Sequence, residues 1–146
     1  MDQTDLNILN VMKQNGRATI SEISRHVSLS IPAVSERIRK LEEANIIEQY
    51  TIKINRQKMG YKLSAVIFVC IDQTANIDIF RNKIVQFSEV MECHHMAGEY
   101  DYMLKVLVKD TDELEYFLSK RLKSIQGVSK SNSMIILSTL KETDSR

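Results

Sequence analysis

Apolar residues recur at helical spacing three times within the first 45 positions. Residues 5–13 carry Leu6, Leu9 and Met12 with Ile8 and Val11 beside them, and the pattern stops at Asn15 and Gly16, so a first helix is expected there. Ile20, Ile23 and Val27 stand three and four apart. The preceding Thr19, with Glu22 three residues on, forms a capping box in which hydroxyl and carboxylate satisfy backbone donors at a helix start. After a break at Ser28, Leu29 and Ser30, a third pattern repeats Val34, Ile38 and Leu41. Ser30 suits an N-cap, and Pro32, the only proline, falls in the first turn, where its missing N–H costs nothing. Residues 45–52 then alternate apolar and polar, the period of a strand, as in a winged helix-turn-helix.

Beyond residue 52 the pattern changes. Residues 55–62 are polar with one glycine and read as linker. Residues 63–71 form a β-rich run, and residues 78–87 place Phe80, Ile84 and Phe87 on one helical face. Residues 90–96 and 102–108 predict two strands joined through Ala97, Gly98, Glu99, Tyr100 and Asp101, a glycine turn. Thr111 suits a cap for a helix carrying Leu114, Phe117, Leu118, Leu122 and Ile125, and residues 127–140 finish as a strand. The order β-α-β-β-α-β is that of a ferredoxin-like unit. The fold class is therefore α+β: a helix-turn-helix domain over 1–52, a linker over 53–62, a ferredoxin-like domain over 63–140, and a polar tail, 141–146, expected to fray.

On a helical wheel the third helix turns Val34, Ile38 and Leu41 to one side and Pro32, Ala33, Glu36, Arg39 and Lys40 to the other, with Ser35 and Arg37 on the flanks. In a helix-turn-helix the start of the second helix of the motif meets base edges and later basic residues reach phosphates, so residues 30–36 would specify and residues 37–40 would anchor. The candidate DNA-contacting residues are Ser30, Pro32, Ala33, Ser35, Glu36, Arg37, Arg39 and Lys40. Arg37 suits a phosphate or a bidentate guanine contact; Glu36 suits a cytosine amine or a pair with Lys40 one turn on. Two helices of an ordinary bundle, their basic residues balanced by Glu36, Glu42 and Glu43, would give the same local pattern. The helix before and the alternating run after favour the DNA reader.

Composition is that of a globular chain: 146 residues, 43% hydrophobic and 27% charged. It has neither an uninterrupted apolar run of about 18 residues nor a basic leader with an apolar stretch, so no membrane association and a cytoplasmic location are expected. Cys70 and Cys93 both lie in apolar strand-like runs and read as reduced, buried thiols. The net charge of +1 is unevenly placed. Residues 1–60 hold nine Lys or Arg against seven Asp or Glu; the remainder holds eleven against twelve. So modest an excess implies DNA affinity drawn from several copies acting together.

Reactive side chains cluster only at Cys93, His94 and His95. Successive strand residues point to opposite faces, so Cys93 and His95 can share a site whereas His94 cannot join them. Two ligands do not make a metal site, and glycine-rich phosphate loops are absent; no enzyme, cofactor or metal is expected. A catalytic or ligand-binding ferredoxin-like dimer without DNA function is the alternative, and it leaves Arg39 and Lys40 unexplained.

Four segments in order, residues 2–9, 29–37, 41–47 and the run from Ala97 through Gly98, Glu99, Tyr100, Asp101 and Tyr102 to Val106, closely resemble the Lrp/AsnC, or feast/famine, family of transcriptional regulators. The likeness covers nearly the whole chain. It implies dimers built through the C-terminal sheet, assembly into tetramers or octamers that present several helix-turn-helix units to bend or wrap duplex DNA, and amino acids as effectors. It also implies an effector pocket between dimers near Gly98, Glu99, Tyr100, Asp101 and Tyr102, with a neighbour's last strand close by. A glycine turn does expose backbone donors for a carboxylate, and Glu99 or Asp101 can pair an ammonium; a plain hairpin turn would look the same. The expectation is a homo-oligomeric, sequence-specific DNA-binding transcriptional regulator with an amino-acid effector.

Overall fold

The computed structural model describes residues 1–143, and the chain divides into two units, Met1–Ile54 and Asn55–Arg146. The last three residues of the tail expected to fray lie outside the described residues.

In the first unit, α1 (Gln3–Gln14), α2 (Ile20–Val27) and α3 (Ile31–Glu43) close around Ile8, Ile23 and Val34, with Val11, Met12, Val27, Leu29 and Ile38 packed at the margin. The starts are set locally. Asp2 and Asp5 form a capping box that begins α1 two residues before the apolar pattern does. In the α2 box the Glu22 N–H donates to Thr19 Oγ1 at 3.2 Å and the Thr19 N–H to Glu22 Oε2 at 2.7 Å. Ser30 caps α3, accepting the Ala33 N–H at 3.3 Å. Ser28, which ends α2, takes a left-handed φ of 54°, turning the chain sharply into α3.

The strand expected over 45–52 does not form. The alternation is real, but a strand needs a ladder partner and this segment meets none, which leaves Tyr50 and Ile52 largely exposed, Ile52 at 79%. Residues 44–47 instead turn the chain out of α3, with Asn45 at a left-handed φ of 53°.

The second unit is a four-stranded antiparallel sheet in the order β2-β3-β1-β4, formed by β1 (Leu63–Ile71), β2 (Val90–His95), β3 (Tyr102–Val108) and β4 (Val128–Ile136). This is the ferredoxin-like arrangement. One sheet face, Ala65, Ile67, Val69, Tyr102, Leu104 and Val106, is buried under α4 (Ile77–Ile84), α5 (Thr111–Tyr116) and the helical turns that continue α5, through Phe80, Ile84, Leu114, Phe117 and Leu122. Alternation puts Val66, Phe68, Met103, Lys105 and Met134 on the opposite face. Among the described residues of this unit, both helices lie on the first face. The segment expected as linker gives its residues from Asn55 onward to this unit.

The helix after β3 departs from expectation twice. Its cap is Asp110, not Thr111: the Glu113 N–H donates to Asp110 Oδ1 at 2.9 Å while Thr111 is already helical. Past Tyr116 it loosens into a π-helical turn, Phe117–Arg121, then tightens into a 3₁₀ turn, Leu122–Ser124, bringing both Phe117 and Leu122 onto the sheet.

Candidate DNA-reading helix and ligand turn

Ser30 uses its hydroxyl as the cap, and the first turn of α3 that follows is apolar: Ile31, Pro32 and Ala33, with Ile31 49% exposed. Ile31 lies inside the span expected to specify yet was not singled out by the pattern, because an apolar residue at a helix start reads as ordinary packing. Ser35 and Arg39, one turn apart, border a groove of about 370 Å³ whose apolar wall is Met12, Ile20 and Ile38. Tyr50 crosses its rim, donating its hydroxyl to Glu42 Oε1 at 2.6 Å, and the neighbouring carboxylate pushes that phenol up to about 12.

The charged residues of α3 are paired. Arg37 Nη1 lies 2.7 Å from Asp5 Oδ1 and 2.8 Å from Asp2 Oδ2, tying α3 to the cap of α1. These contacts raise the Arg37 pKa. They also lower both carboxyls, although the larger cause in each case is the capping hydrogen bond, Asp2 accepting from the Asp5 N–H and Asp5 from the Asp2 N–H. Glu36 holds Arg39 through two hydrogen bonds of 2.9 and 2.7 Å, which lower its pKa, and Arg39 also reaches Glu43. Lys40 stands off at 3.6 Å from Glu36. Glu36 therefore pairs first with Arg39, not with Lys40. A second groove, of about 520 Å³, runs beside this helix between Met1 and Asp5 on one side and Ala33, Glu36, Arg37 and Lys40 on the other.

The glycine turn after β2 holds residues of two kinds. Asp101 is built into the sheet: its Oδ2 accepts the Ile71 N–H at 2.7 Å, its own N–H donates to Val69 O at 3.0 Å, and its carbonyl accepts from Met96. Tyr102 is core, 2% exposed, stacked on His95 and packed against the tilted Phe80 ring, and its hydroxyl accepts from Arg81 Nε at 2.7 Å. Neither side chain opens onto the turn. Gly98, Glu99 and Tyr100 do: nothing lies within 4 Å of where a Gly98 side chain would begin. Lys130 Nζ on β4 sits 3.0 Å from Glu99 Oε1 and 4.9 Å from the Tyr100 ring centroid, contacts that raise its pKa, Glu99 first. Tyr100 leans on Phe68. Lys130 is a candidate the sequence did not offer, since only the pairing of β4 with β1 brings it to the turn.

Cys93 and His95 share the helix-covered face, opposite Leu104 and Tyr102, and burial raises the Cys93 thiol. Among the described residues no three His, Cys, Asp or Glu side chains are grouped to hold a metal, and no helix is long and apolar enough to cross a membrane.

The family model for the Lrp/AsnC ligand binding domain matches residues 64–146, more than half the sequence, and one for a winged helix-turn-helix DNA-binding domain matches residues 1–48. The chain belongs to the Lrp/AsnC family. It is a DNA-binding transcriptional regulator. The HTH-type transcriptional regulator FL11 of Pyrococcus abyssi is 33% identical over 143 residues, covering 98% of this chain and 93% of that one. The leucine-responsive regulatory protein of Escherichia coli is 28% identical across 99% of this chain and 89% of its own. Among solved structures, a complex of the transcriptional regulator NMB0573 with L-Met, from Neisseria meningitidis, superposes with a TM-score of 0.96 at 32% identity, covering all of this chain and 96% of that one. The unit that lacks a strand over residues 45–52 thus matches a model of the winged class.

Proposed function

We propose that this regulator acts as a homo-oligomer whose DNA affinity is set by an amino acid held at the Gly98 turn. The observation that carries the ligand half is the exposed Lys130 and Glu99 pair, 3.0 Å apart, beside the open Gly98 backbone. An α-amino acid carries the complementary charges, its carboxylate suiting Lys130 and its ammonium Glu99, while the Tyr100 and Phe68 rings offer an apolar wall. An exposed ion pair is weak, so exchanging it for a ligand's two charges costs little. The L-Met bound to the Neisseria relative supports the same class of effector. Asp101 positions the turn and Tyr102 fills the core behind it.

In the DNA half, the first turn of α3, with Ser30, Pro32 and Ala33, enters the major groove; Ser35 follows, Arg39 and Lys40 face phosphates, and Glu36 orients Arg39. Arg37 holds α3 in place through Asp2 and Asp5. Oligomerisation uses the sheet face without a helix, where Val66, Phe68, Met103 and Met134 surround Lys105, itself paired with Glu92 and Glu142. The unit over 1–54 then reads DNA, and the sheet assembles copies and senses ligand.

The test is a duplex titration at two salt concentrations with each amino acid of a panel, on the wild-type chain and on Lys130→Ala. One amino acid should shift the wild-type curve, and Lys130→Ala should bind DNA as well as the wild type without responding. Indifference to every amino acid, or an undiminished response in Lys130→Ala, would refute the ligand half.

A further inference from the structure

Most polar groups of α3 that could hydrogen-bond a base are already engaged, Ser35 on the flank beside the Met12 and Ile20 groove being the exception. Ser30 Oγ is the cap, Glu36 uses both oxygens on Arg39, Arg39 is shared between Glu36 and Glu43, and Arg37 is held by two aspartates. Each contact must be surrendered before a base edge is met. Ile31 must surrender nothing: it stands at the first position of the helix, half exposed, with no polar group to satisfy, beside the equally apolar Pro32 and Ala33. A branched aliphatic side chain left in water at the tip of a groove-reading helix gains only from an apolar patch on the DNA. The major groove offers one such group, the C5 methyl of thymine.

We propose that Ile31 reads a thymine methyl and is the principal source of base specificity in α3. This rests on α3 being the groove-reading helix. Lys40, the least tightly paired cation of the helix, then contributes affinity without sequence preference. Glu36 and Arg39 serve chiefly to hold each other. Specificity should therefore fall on the presence of a methyl group at one thymine in each half-site, and not on a hydrogen-bonding pattern.

Deoxyuridine makes the test direct, because replacing thymine by uracil removes the methyl and leaves every donor and acceptor in place. A duplex is first selected from a random library by the protein itself. Its thymines are then replaced singly by uracil and binding is measured for the wild type, Ile31→Ala and Ile31→Val. Transfer of a single methyl-sized group out of water is worth about fourfold in affinity. The wild type should weaken by about that factor at one thymine per half-site and remain unchanged at the others. Ile31→Ala should bind the thymine and uracil duplexes with nearly equal affinity, and Ile31→Val should retain most of the difference. Circular dichroism confirms that the variants are folded.

A selected duplex with no uracil-sensitive thymine, or a sensitivity that persists in full in Ile31→Ala, overturns the assignment while leaving DNA binding intact. Failure of the wild type to select any duplex overturns instead the groove-reading role on which it rests.

Discussion

Two side chains decide more locally than their neighbours do. Gly127 sits at a φ of +94°, and a methyl group there would lie 2.4 Å from Asn76 Cβ, itself held by a hydrogen bond from Asn76 Nδ2 to Asp72. Gly127→Ala therefore meets an unfavourable backbone region and a clash together, and chemical denaturation should find the second unit destabilised by about 2 kcal/mol or more. The Asp2 and Asp5 carboxyls titrate below the ordinary carboxylate value of about 4. Their contribution is thus complete above that pH and is lost as pH falls through the lower, folded values, since the unfolded chain takes up the protons first. Denaturation of the first unit followed by circular dichroism should find the wild type losing stability as pH falls below about 4; in Asp2→Asn, Asp5→Asn that portion of the pH dependence should vanish, with stability lower throughout the neutral range. The role of Arg37 in this arrangement was invisible in the sequence, because its partners are 32 and 35 residues away and a basic residue on a helix flank equally suits a phosphate.

Elements whose signals lie within a few residues were legible: the Thr19 and Glu22 box, the Ser30 cap and Pro32 mark α2 and α3, and β-rich apolar runs mark β1 and β3. Elements that depend on a distant partner were not. The 45–52 run has strand periodicity but no ladder, and the π-helical turn at 117–121 reflects a need to land both Phe117 and Leu122 on the sheet, which a wheel of uniform pitch does not register. The candidate site divides in the same way. Gly98, Glu99 and Tyr100 announce a turn, whereas Lys130 arrives by sheet order and Asp101 and Tyr102 prove to be committed to backbone and core. The uncovered sheet face is itself an element-scale feature with a measurable role: Phe68→Asp places a charge at its centre, and light scattering should show a smaller particle while circular dichroism remains that of a folded chain.

At the scale of the whole molecule, the proposed function divides reading and assembling between the two units, and on that reading the affinity of one weakly basic reader is multiplied by the number of copies brought together. That division makes the beginning of the chain unexpectedly sensitive. Met1 lines the groove shared by Ala33, Glu36, Arg37 and Lys40, and Asp2 is at once the cap of α1 and a tether of α3. Residues fused ahead of Met1 emerge beside the surface that meets the duplex. An affinity tag at that end should weaken DNA binding severalfold in a mobility-shift titration, with full affinity restored on its removal.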